Sequence, residues 1–203
     1  MVRTSVLAVC YPARTMVLAE AAIDPARDQA LDAAERLFYE RGIHAVGMDD
    51  VRSASGLALR RLYRLFPSKM KLVCAYLERR NDRWLDSLKA HVSAVDTGPR
   101  GQVLAIFDWL QCWFEAPGFR GCAFINAFGE SGATSPEIVG IARRHKSEFQ
   151  SYVTDLVIAA GATASVGAQV ALLAEGAMVT AAISTSPEPA NWAKDAAEVL
   201  LPR

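Results

Sequence analysis

Net charge is the first thing this chain lacks. Its 22 Lys and Arg balance 22 Asp and Glu over 203 residues. That balance excludes a uniformly cationic, histone-like coat, so any nucleic-acid site must come from uneven charge. Cysteine is scarce as well. Cys10, Cys74, Cys112 and Cys122 contain no Cys-x-x-Cys pair, and none stands at metal-ligand spacing from a histidine. They read as free, buried thiols of a reducing cytosol, with neither metal nor cofactor expected. A nucleophile motif and a phosphate-binding loop are missing too. No run alternates apolar and polar residues between turn signals, which argues against a sheet. Finally, there is no clean signal core. Tyr11-Pro12 interrupts the only candidate, and no Ala-x-Ala site follows it. Residues 1–23 therefore read as an N-terminal extension, with Met16 as an alternative start.

What is present is a globular composition, 52% apolar and 22% charged, in a chain long enough to bury a real core. The charge is unevenly spread. Residues 26–91 carry 13 basic and 9 acidic side chains, and residues 92–203 carry 7 basic and 11 acidic. The sharpest stretch runs from Arg52 to Arg80, with eight basic residues against Glu78 alone. A basic N-terminal third on an acidic body suggests two parts with two jobs.

Helical periodicity dominates from Asp24 onward. Asp24-Pro25 reads as an N-cap and first helical position, followed by Leu31, Ala34, Leu37 and Phe38 at helical spacing and a stop at Gly42. Met48–Ser55 and Ala58–Leu65 read as two short helices broken at Gly56. Ser68 can cap a long fourth helix that carries Leu72, Tyr76, Trp84 and Leu88. Further helices are expected near 100–115, 122–129, 136–160, 166–183 and 189–201. The fold expected is all-α, with about nine helices.

Two short helices meeting at a glycine-containing turn have the spacing of a helix-turn-helix, whose second helix enters the major groove. Its inner face must be apolar, as Leu62, Leu65 and Phe66 are, and its outer face polar, as Arg60, Arg61 and Arg64 are. The wider segment, ARDQALDAAERLFYERGIHAVGMDDVRSASGLALRRLYRLFPSKMKL, resembles the N-terminal DNA-binding domain of the TetR family of transcriptional regulators. The resemblance lies in Ala33-Ala34 with Leu37-Phe38, Glu40-Arg41-Gly42, Met48-Asp49-Asp50-Val51, Ser55-Gly56-Leu57 and the run from Leu62 to Lys69. It departs from the family at Gly47, where a capping Ser or Thr is usual, at Ala58-Leu59-Arg60-Arg61, and at Leu65.

The resemblance implies residues 24–70 as a three-helix DNA-binding domain and 71–203 as a ligand-binding and dimerisation domain. It also implies a near-palindromic double-stranded operator, a small-molecule effector, a cytoplasmic location, no membrane and no catalysis. The expected DNA contacts are a Gly47 backbone N–H to phosphate, Arg60 and Arg61 to guanine edges, and Tyr63, Arg64 and Lys69 to the backbone. The last two helices would pair two chains, and the small residues Ala168, Ala171, Ala174, Gly176 and Ala177 would let helices approach closely at that interface or in the core.

Between helices four and eight a ligand pocket is expected. Its apolar walls are Trp84, Trp109, Trp113, Phe149 and Met178, and its inward polar groups are Asn126, His145 and Glu175. The leading function is a repressor released from DNA by a small, mostly apolar ligand. The alternatives are an oxidant-sensing regulator acting through Cys74, Cys112 or Cys122, and an all-α enzyme using His145 and Glu175 as acid and base.

Overall fold

The structure is a computed structural model and describes residues 24–202. The expected extension over 1–23, its alternative start at Met16, and Cys10 lie outside the described residues. Among these residues the fold is all-α, with nine helices and no strand. The N-terminal five are α1 (Pro25–Arg41), α2 (Met48–Ser55), α3 (Leu59–Leu65), α4 (Lys69–Ser93) and α5 (Gly98–Glu115). They are followed by α6 (Ala123–Ser131), α7 (Pro136–Ala159), α8 (Ala164–Ser184) and α9 (Pro189–Leu200).

Local chemistry sets the boundaries. Asp24 Oδ1 accepts the Ala26 N–H at 3.1 Å and caps α1, with Pro25 at its first turn. The Lys71 N–H reaches Ser68 Oγ at 3.2 Å and starts α4. Ser135 Oγ accepts the Ile138 N–H at 3.3 Å and starts α7. Gly56, with φ of 70°, ends α2 in the left-handed region that side chains other than glycine rarely enter.

Two compact units divide the chain. Among the described residues, one comprises 24–82 together with Ala123–Arg143; the other comprises Arg83–Cys122 together with 144–202. The division falls inside α4 and again inside α7, so the unit that holds the helix-turn-helix also contains α6.

In the second unit α8 and α9 pack on each other and on α5. Residue Gly167 permits a close approach to α7, because a Cβ there would sit 2.8 Å from the Thr154 Cα. By length and composition α8 alone among the described helices is apolar enough to cross a bilayer. Its Val170, Ala171, Ala174, Ala177, Met178 and Ala181 are nevertheless buried within the unit.

Ala171, Ala174 and Ala177 lie in the chain's own core, one of the two places expected for them, while Ala168 and Gly176 remain exposed. The outer side of this pair of helices carries apolar residues too. Ile183 is 81% exposed and Leu172 65%, with Val179, Trp192 and Val199 also open.

Candidate nucleic-acid interface

The first unit builds its site on the α2–turn–α3 element. Val51 of α2, Leu62 of α3 and Phe66 just after it are buried, fixing one face of α3 inward. The Arg27 guanidinium lies 4.7 Å above the Phe66 ring and closes that core from α1. The turn itself is tied to α1, since Gln29 Nε2 donates to the Ser55 carbonyl at 2.7 Å. Packing on the inner side leaves Leu59, Arg60, Tyr63 and Arg64 on the outer side, all exposed. Lys69 opens α4 next along the chain and is half-buried, while Lys71 is exposed.

The cations expected at the DNA divide into two groups. Arg60 and Arg64 have no ion-pair partner among the described residues, so their guanidinium groups are free to meet guanine edges or phosphates. Arg61 does not share that freedom. It is ion-paired with Asp24 Oδ2, each side chain 35% exposed, a partner that a guanine contact would have to replace. The reason is geometric: one position along a helix turns a side chain by about 100°, which carries Arg61 from the outer face to the flank beside the α1 N-cap. Asp24 thus caps α1 with one oxygen and holds α3 with the other.

Gly47 also has a partner within the chain. Its N–H donates to Asp50 Oδ2 at 2.7 Å, so a phosphate there would have to displace that carboxylate. Asp49 and Asp50 occupy the first turn of α2, where they favour the helix N-terminus and oppose an approaching anion. Asp50 is also 3.6 Å from Arg41, and Asp49 is 3.2 Å from Arg52.

The far end of the basic stretch is not at the interface at all. Arg79 lies 2.9 Å from Asp32 and 3.0 Å from Glu35, and Arg80 lies 3.0 Å from Glu35. Arg80 is 6% exposed and sits 4.0 Å from the Tyr39 ring centroid. This network joins α4 to α1.

A second support was not legible along the chain. The Glu130 carboxylate on α6 accepts the N–H groups of Ile43 and His44 at 3.1 and 2.8 Å, and His44 Nε2 is 3.2 Å from Ser131 Oγ. The loop leading into α2 is held by these bonds.

Of the expected ligand residues, the second unit gathers Trp84, Trp109, Trp113, His145 and Phe149. The Trp84 ring centroid lies 5.0 Å from that of Trp109, 5.7 Å from Trp113, 5.1 Å from His145 and 5.4 Å from Phe149. All five are buried, and Trp109 Nε1 donates to Ser87 Oγ at 3.2 Å. These edge-on contacts are those of a packed aromatic core. Met178 is buried in the same unit.

Glu175 finds its partner within the chain. Lys146 Nζ is 2.5 Å from Glu175 Oε2 and 3.4 Å from Cys122 Sγ, while Glu175 Oε1 is buried with no hydrogen-bond partner. Asn126 does not point inward. α6 buries Ala123, Phe124, Ala127 and Ser131, which leaves Asn126 exposed in the other unit. Of the thiols, Cys74 and Cys112 are half-buried and Cys122 is buried. Burial, with Glu137 and then Glu78 adding to it, pushes the Cys74 thiol up, which disfavours the reactive thiolate.

Comparison with known proteins agrees with this arrangement. Residues 30–76 match the family model for bacterial regulatory proteins of the tetR family. The transcriptional activator FasR of Mycolicibacterium smegmatis is 32% identical over 137 residues, a match that takes in 66% of this chain and 59% of FasR. The crystal structure of a TetR-family transcriptional regulator from Streptomyces coelicolor superposes with a TM-score of 0.76 at 31% identity, covering 86% of this chain and 87% of that one. The reduced form of NemR from E. coli gives a TM-score of 0.79 over 88% of this chain and 97% of its own. At 20% identity that likeness concerns the fold.

Proposed function

This chain belongs to the TetR family of DNA-binding transcriptional regulators, and from that premise we propose that it is a homodimeric, cytoplasmic repressor released from a near-palindromic operator by a small, mostly apolar ligand. In this reading residues 24–70 bind DNA and residues 71–203 bind ligand and partner. The observation that carries it is the outer face of α3, where Arg60 and Arg64 stand exposed beside Tyr63 on a helix whose other face is buried. Such a helix can enter the major groove without unpacking anything.

The exposed apolar residues of α8 and α9 support the dimer, because large apolar side chains left open on two packed helices suit an interface. Two recognition helices about 34–36 Å apart would then meet one face of the duplex. Replacing Ile183 by Arg should give monomers that lose operator affinity without loss of fold, read by sedimentation and circular dichroism.

For release, α4 provides the lever. It is one continuous helix whose Lys69 end follows the recognition helix and whose later part carries Trp84 and Leu88. A ligand that shifts the Trp84 end moves the Lys69 end. Linkage requires DNA to weaken ligand binding by the same factor by which ligand weakens DNA binding, usually a coupling of about 1–3 kcal/mol. In this reading a mostly apolar ligand would have to part the packed aromatic group around Trp84, and the half-satisfied Glu175 carboxylate would accept one of its hydrogen bonds.

A second reading, an activator, is favoured by the name that FasR carries. Selecting bound duplexes from a random pool, followed by a reporter assay on the selected site, tests both. A palindromic, salt-sensitive site supports the proposal, and the sign of the reporter's response separates repressor from activator.

A further inference from the structure

On the outer face of α3 one residue has no evident structural employment. Leu59, the first residue of the helix, is 40% exposed, although the core beneath α3 is already completed by Val51, Leu62 and Phe66. It stands one turn before Tyr63, and Arg60 stands one turn before Arg64. An apolar and aromatic row therefore runs beside a cationic row on the same exposed surface.

Resting on the DNA-binding reading above, we infer that Leu59 is a base-reading residue, and that each operator half-site presents a thymine 5-methyl group to it beside guanine edges taken by Arg60 or Arg64. The major groove offers each row a different target. Guanine shows two acceptors, O6 and N7, which suit a guanidinium. Thymine shows a methyl group, which suits an apolar side chain. Leucine has no hydrogen-bonding atom beyond its backbone. Set against the amino group of cytosine or adenine, it would strip water from a donor and return nothing. Set against the thymine methyl, it gains the burial of both groups. One buried methyl is worth about a fourfold change in affinity, and two half-sites in a dimer compound this to roughly fifteenfold. Residues near the N-terminus of a recognition helix are the ones that reach base edges, which is where Leu59 lies.

The test begins with the duplex selected from a random pool. Each thymine of that site is replaced in turn by deoxyuridine, which keeps the pairing edge and removes only the 5-methyl group. The wild-type protein should lose about fourfold in affinity at one thymine per half-site, and roughly fifteenfold when both are replaced. Leu59→Ala, which removes a half-exposed side chain and should melt at the wild-type temperature, should bind the thymine and uracil duplexes equally. If no uracil replacement weakens the wild-type protein, or if Leu59→Ala keeps the wild-type ratio, the role of Leu59 is overturned while the DNA-binding reading stands. A protein that selects no sequence from the pool overturns both.

Discussion

Arg60 with Arg64 and Arg79 with Arg80 carry the same side chain on neighbouring helices, and the fold treats them in opposite ways. The first pair faces outward from a short helix with no carboxylate in reach. The second is enclosed between α1 and α4, where Asp32 and Glu35 meet it at 2.9 to 3.0 Å. In linear sequence both belong to one basic stretch. What separates them is the acidic face of α1, which neutralises one pair and does not reach the other. A run of positive charge along a chain is therefore not a surface; it becomes one only where the packing leaves it unpaired.

The contrast can be broken most severely at the buried pair. Arg80→Ala should destabilise the protein by about 1.5–3 kcal/mol, because Glu35 loses one of its two arginine partners inside the structure. Urea unfolding measures this, and a loss within about 0.5 kcal/mol would mean that the network is slack. At the exposed pair the expectation reverses. Arg60→Ala should cost about 1–3 kcal/mol of discrimination at one base pair in each half-site and leave the unfolding midpoint in place. Binding-site selection with the variant reads the first quantity and thermal melting the second. An unchanged sequence profile would place Arg60 outside the groove.

Arg61 sharpens the comparison, since it sits between the two behaviours. Its pairing with Asp24 predicts an unchanged sequence profile in Arg61→Ala and a stability loss of about 0.2–1 kcal/mol, the range for half-exposed ion pairs. A shifted base preference would show that Arg61 leaves Asp24 for the DNA.

The smallest effect lies away from both pairs. Burial lowers the His91 pKa, with Asp108 opposing. An imidazole depressed in the folded state binds its proton more readily in the unfolded chain. Stability should accordingly fall as pH drops through the ordinary value of about 6.5, and should level off below the folded-state value. His91→Gln should flatten that part of the pH profile. An unchanged profile would assign the slope to other groups.

Much of the fold was legible because it is written locally. The caps at Asp24, Ser68 and Ser135, the proline starts at Pro25, Pro136 and Pro189, and the glycine stops at Gly42 and Gly56 act within one turn of themselves. The inner face of α3 was legible for the same reason, since Leu62, Leu65 and Phe66 recur at helical spacing. The site was legible only in part. Arg60, Tyr63 and Arg64 follow from that spacing, whereas the capture of Arg61 by Asp24 and of Gly47 by Asp50 depends on which groups arrive nearby. Nothing in the sequence pairs Glu130 with the backbone of Ile43 and His44, because those bonds close across a long stretch of chain. Among the ligand candidates, Trp84, Trp109, Trp113, His145 and Phe149 do come together. Asn126, chosen for its polarity alone, ended on the solvent side of α6.

The helical elements, their ends, the apolar stripe under the recognition helix and the family to which the resemblance points can all be read along the chain. Each of these is set by groups within a few residues of one another, whose energies are nearly independent of the rest of the molecule. Which arginines lack an ion-pair partner, which face of α8 is spent on its own core and which lies open, and where Glu175 finds Lys146 emerge only once the helices pack. Those outcomes turn on charges and apolar surfaces distant in sequence, whose meeting depends on how the helices pack.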